Sequence, residues 1–138
     1  MNHRFIRACQ LLTAGAALFA ILWACGNPPT APSPPGVADL AGTWDGRLLA
    51  PPDPELPAQL VIAVSSGSPA ATLQAGGVTY VAEDSRQGSL AGVNFVLYLR
   101  NGSTPVTLIG EISRDKTQLT GRTTGIPPAD RAFTFNRR

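Results

Sequence analysis

From Gly42 to the C-terminus the chain is a series of short apolar–polar alternations, each closed by a turn. Gly42–Leu49 places Trp44, Gly46 and Leu48 on one face, and Ala58–Ser65 does the same with Leu60, Ile62 and Val64. Ala70–Ala75 and Val78–Glu83 flank Gly76-Gly77, a hairpin signal. A short strand is expected near Gly88–Ala91. Val93–Arg100 then sets Val93, Phe95, Leu97 and Leu99 against Asn94, Val96, Tyr98 and Arg100. Pro105–Ser113 carries Val106, Leu108 and Ile112 on one face, Asp115-Lys116 marks a turn, and Gln118–Thr123 and Arg131–Arg137 finish the chain. Side chains of a strand alternate with period two, whereas no stretch here keeps the 3.6-residue period of a helix for three turns. The pattern predicts an all-β fold of eight or nine antiparallel strands, as a meander barrel or a sandwich. Closure into an up-and-down barrel of about eight strands is favoured, because so many strands in so short a chain leave few other ways to protect their edges.

What precedes Gly42 is of a different kind. Residues 1–7 carry Arg4 and Arg7, and Ala8–Ala24 is an uncharged apolar stretch of signal-peptide length, slightly short for a membrane span. It ends in Leu22-Trp23-Ala24-Cys25. Leu22 sits where ordinary signal peptidase wants a small residue, so the segment resembles a lipobox, with Leu at −3, Ala at −1 and the acceptor Cys25 at +1. Trp23 departs from the small residues usual at −2. An uncleaved N-terminal anchor is the alternative. The lipobox implies a signal helix over residues 1–24 that is removed, and a Cys25 thiolate that takes a diacylglyceryl group. Two or three acyl chains then hold the protein on a bacterial membrane. Gly26 is not the Asp that marks inner-membrane retention in enterobacteria, so the outer membrane is the expected location. Residues 25–38 follow as a lipidated N-terminus and a proline-rich linker. Its thirteen residues from Gly26 on would span roughly 40 Å as polyproline II. A proline-rich ligand for a partner domain is the less favoured reading of the same tract. The barrel domain is assigned to residues 39–138.

Loss of the leader changes the chemistry available. Cys9 and His3, the only histidine, leave with it, and the sulfur of Cys25 is consumed by lipid. The formal charge of +2 also falls, because without Arg4 and Arg7 nine cations face nine acids. A neutral surface offers no basic patch for nucleic acid. A domain without histidine or free thiol lacks the usual general base and transition-metal ligands, so no enzyme, metal site or cofactor is expected. Asp53 with Glu55 and Glu83 with Asp84 are acidic pairs of the sort glycosidases use, but their places at loops and strand ends suit solvated turn charges. Asn101-Gly102-Ser103 matches a glycosylation sequon and reads as a turn. Ser65-Ser66-Gly67-Ser68 has no base nearby in the sequence.

The two ends of the domain carry a further pattern. Leu40-Ala41-Gly42-Thr43-Trp44 opens it and Phe133-Thr134-Phe135-Asn136-Arg137 closes it. Phe133, Phe135 and Arg137 share a face, and in a closed meander the first and last strands are neighbours, so Arg137 can reach the indole of Trp44. This pairing resembles the signature of the calycin barrels, the lipocalin-like superfamily. Leu108-Ile109-Gly110-Glu111-Ile112, Asp115 and Leu119-Thr120-Gly121 are similar to small bacterial lipocalin-like domains. The resemblance implies that Trp44 and Arg137 seal one end of a barrel. A small barrel can hold one small ligand, and the inward faces assigned by the alternation would line it with Leu60, Ile62, Val64, Phe95, Leu97, Leu108 and Ile112. Such a ligand would be neutral and apolar. The alternative is a filled barrel that meets another envelope protein through the loops Ala50–Pro57 or Gly125–Asp130. An open lumen of about 300 Å³ or more would favour the first, a filled one the second.

Overall fold

The structure, a computed structural model, describes residues 30–126 and 130–138. The apolar leader and Cys25 lie outside the described residues. A single-turn 3₁₀ helix over Val37–Leu40 leads into β1 (Gly42–Leu49). There follow β2 (Leu56–Ser65), β3 (Ser68–Ala75), β4 (Val78–Ala82), β5 (Ser89–Ala91) and β6 (Asn94–Asn101), then β7 (Thr104–Ile112), β8 (Gln118–Thr124) and β9 (Arg131–Arg137).

All the pairings are antiparallel, and the sheet runs β4-β3-β2-β1-β9-β8-β7-β6-β5. A further pairing of β4 with β6 closes it, so eight strands form an up-and-down barrel and β5 is a short piece laid on the remaining edge of β6. The expected strands are all present, with ends shifted by the turns. β2 begins at Leu56 rather than Ala58, because Leu56 and Pro57 pair with Leu48 and Arg47. The Ala50–Pro57 loop is shorter by the same two residues. β3 begins at Ser68, since the Ser66-Gly67 turn has both residues at positive φ and brings the strands together at once. Gly76-Gly77 closes the β3–β4 hairpin in the same way.

The ladders define two ends. The 3₁₀ helix, the β2–β3 and β7–β8 turns and the C-terminus gather at one, the capped end. The β1–β2 loop, the β3–β4 and β6–β7 turns, the end of β8 and the start of β9 gather at the other, the loop end.

Candidate functional site

One ladder row decides what the interior can do. Phe95, Gly110, Gly121, Phe133 and Leu48 are successive partners across β6, β7, β8, β9 and β1. Two glycines between two phenylalanines leave the space that the rings then occupy. A β-carbon at Gly110 would stand 2.9 Å from Phe133 Cζ and 3.0 Å from Phe95 Cζ; one at Gly121 would stand 2.7 Å from Phe133 Cζ. The Phe133 ring lies 6.2 Å from that of Phe95 and 5.4 Å from that of Phe135, both tilted, the spacing of packed aromatic pairs.

Leu60, Ile62, Phe95, Leu97, Leu108 and Ile112 all face inward and join one core with Trp44, Leu73, Phe133 and Phe135. Leu60, Phe95 and Leu108 have 0% of their surface exposed, so no water-sized space adjoins them. Val64, at the capped end of β2, is only half-buried. The barrel interior is packed as a core. A groove of about 550 Å³ does exist, but it runs along the outer face past Asp45, Gln59, Gln74 and Thr79.

At the capped end Trp44 and Arg137 are direct ladder partners. The guanidinium lies 4.2 Å from the indole centroid. Its Nε donates to the Lys116 carbonyl at 2.8 Å, Nη1 to the Ala41 carbonyl at 2.9 Å and Nη2 to the Asp39 carbonyl. Trp44 Nε1 donates to the Leu40 carbonyl at 2.9 Å. One residue thus ties the last strand to the β7–β8 turn and to the segment leading out of the linker. Asp39 is held below the usual carboxylate range, first by the Gly36 backbone N–H it accepts and then by Lys116 Nζ at 3.0 Å.

The acidic pairs are divided among separate partners. Glu55 meets Arg47 at 2.7 Å and Asp84 meets Arg100 at 2.9 Å, both on the surface. Glu83 accepts from the Ser85 hydroxyl. Asn101 of the sequon ends β6 and donates to the Thr79 carbonyl at 2.7 Å, joining the barrel seam. Asp53 turns to a residue not picked out by its chemistry, Arg131. That residue shares the inward face of β9 with Phe133, Phe135 and Arg137 and is buried at the loop end, 4% exposed. Period two counted back from Phe133 places it there. The inward faces are therefore not wholly apolar: Arg131 and its ladder partner Thr123 are buried polar residues, and the Thr123 hydroxyl donates to the Arg131 carbonyl.

Among the described residues no three His, Cys, Asp or Glu side chains gather as a metal site, and no helix is long and apolar enough to cross a membrane. The chain matches no known family model and no curated protein. The class rests on the architecture, an eight-stranded antiparallel meander barrel compatible with a lipocalin-like fold.

Proposed function

We propose that this chain is a lipid-anchored protein of the bacterial cell envelope, held at the outer membrane through Cys25, whose barrel is a solid platform and whose loop end meets another envelope protein. The observation that carries the reading is the packed interior, above all the row in which Phe95 and Phe133 fill the space over Gly110 and Gly121. A ligand barrel needs a lumen. Here the side chains that would line one are in contact with each other.

The route of the chain supports the choice of end. The linker joins the domain through the 3₁₀ helix at the capped end, where Arg137 binds the Asp39 and Ala41 carbonyls. The loop end is the side opposite the tether. Pro51, Pro52 and Pro54 stiffen its β1–β2 loop, so ordering it on a partner costs less entropy. The reading assigns the domain no catalysis and no cofactor.

Two measurements test it. Intact mass of the protein extracted from membranes should show a chain beginning at an acylated Cys25, and Cys25→Ser should accumulate as unacylated precursor. An unmodified full-length chain in the wild type would remove the anchor from the proposal. An apolar fluorophore titrated into the folded protein should gain no saturable signal. Stoichiometric binding that Phe95→Trp or Leu97→Trp abolishes, with the fold intact, would replace the platform by a ligand barrel.

A further inference from the structure

The guanidinium of Arg131 is buried with too few partners. Its Nη2 faces Asp53 Oδ2 at 3.6 Å, beyond hydrogen-bond length. Among the described residues neither Nε nor Nη1 meets an acceptor, and both are out of contact with water. A buried charge without hydrogen bonds costs several kcal/mol, so such groups are normally fully partnered. Arg137, six residues along the same strand, shows what full partnering looks like in this molecule, with three carbonyl acceptors and an indole face.

We propose that Arg131 is the binding group of an anion site at the loop end of the barrel, which takes one carboxylate in place of Asp53. Three observations converge on it. The backbone that carries the donors is fixed, because Arg131 begins β9 and its own carbonyl accepts from Thr123. The chain already offers a carboxylate there, and offers it loosely: Asp53 is 36% exposed, and its loop is held at that point by one backbone bond, Asp53 N–H to the Ala50 carbonyl at 2.8 Å. Below the site the lumen is filled, so it offers no room for an apolar tail. A second carboxylate can therefore compete with Asp53 from solvent and collect the donors that Asp53 leaves unmet, as charge-assisted hydrogen bonds. The carboxylate can be that of a small free acid or an acidic side chain of a partner protein. Only the second source rests on the loop-end reading above.

The test uses the full chain in detergent, with sodium acetate as the free acid and a terminally blocked Ala-Glu-Ala peptide as the protein carboxylate, both against sodium chloride at equal ionic strength. Saturating carboxylate should shift the Arg131 Nε–Hε resonance. At about ten times the dissociation constant it should raise the melting midpoint by roughly 5–10 °C. Arg131→Met should abolish both responses, and Arg131→Lys, which loses the planar fork, should weaken them. Asp53→Asn should bind about tenfold tighter if Asp53 holds the site nine-tenths of the time. That variant keeps the proposal testable should Arg131→Met fold poorly. Equal response to acetate and peptide supports the site and removes the partner as its source. A clearly tighter peptide supports both. No resonance shift with either probe, or an unchanged affinity in Asp53→Asn, overturns the site and leaves the loop-end reading standing on the packed interior.

Discussion

β9 carries an arginine at each end of one face, and the barrel treats the two in opposite ways. Arg137 stands at the surface, yet each of its nitrogens has a carbonyl and its plane lies on Trp44. Arg131 is buried, yet its one charge partner is a carboxylate at 3.6 Å. Burial and integration are thus separate properties. The exposed side chain is a structural clasp, because its hydrogen bonds join three segments of the chain. The buried one is poorly compensated, because Asp53 at 3.6 Å is its one described charge partner and its Nε and Nη1 meet no acceptor among the described residues. The capped end is a finished piece of structure and the loop end has donors in reserve.

The packed section between the two arginines should show the largest effect. Phe133→Ala removes the ring that lies over Gly110 and Gly121, and the glycines offer no side chain to refill the space. Stability should fall by about 3–5 kcal/mol, read from denaturant midpoints. If the protein still folds, the new cavity should bind a benzene-sized probe that the wild type ignores. A loss below about 1 kcal/mol would mean that the interior is loosely packed, and the contrast between a solid barrel and an unfinished end would lose its basis.

The clasp comes next. Arg137→Ala should lower stability by about 1–2 kcal/mol through lost stacking and packing on Trp44. The loss should be visible as faster hydrogen exchange at Trp44 Nε1, because the Leu40 carbonyl that it binds lies in the segment the guanidinium holds. Arg131→Met at the other end should change stability by less than about 1 kcal/mol in either direction, since an apolar side chain of similar length replaces a poorly paired charge. A larger loss from Arg131→Met than from Arg137→Ala would reverse the comparison and make the loop end the structural one.

How much of this could be read from the chain follows from the physics of each feature. The strands were legible because period-two alternation and Gly76-Gly77 are local signals. Trp44 against Arg137 follows from the same periodicity once the first and last strands are taken as neighbours. Three features are not local in this way. The filling of the interior depends on Gly110 and Gly121 standing between Phe95 and Phe133 in one ladder row, and register is not written in any single strand. Arg131 was on the right face by simple counting. Nothing in the chain singles it out, because a charged residue at a strand end is expected in solvent and the carboxylate it faces, Asp53, comes from a distant part of the sequence. Leu40 is a third case: the 3₁₀ turn that buries it forms where proline-rich linker gives way to strand, and four residues are too few to show a period.

The smallest expected effect also separates the two ends. Asp39 and Asp115 both belong to the capped end and both are held below the ordinary aspartate value of 3.8, Asp39 chiefly by the Gly36 N–H and Asp115 chiefly by the Ser113 hydroxyl, with Thr117 adding to it. A carboxyl whose folded value is depressed takes up its proton more readily in the unfolded chain. Its contribution is therefore complete well above pH 3.8 and is lost as the pH falls through that value toward the lower folded one. Both groups are at the surface, so water screens the effect and it should be smaller than that of Arg137→Ala. Denaturant midpoints at pH 7 and pH 3 should differ more in the wild type than in Asp39→Asn or Asp115→Asn, since each variant removes one depressed carboxyl. Acidification should also lower the protection of Trp44 Nε1–H against exchange, measured relative to its intrinsic rate at the same pH, because Lys116 holds the Asp39 side chain while Arg137 holds the Asp39 carbonyl. An acid response unchanged in both variants would place the acid-sensitive part of the barrel away from the capped end.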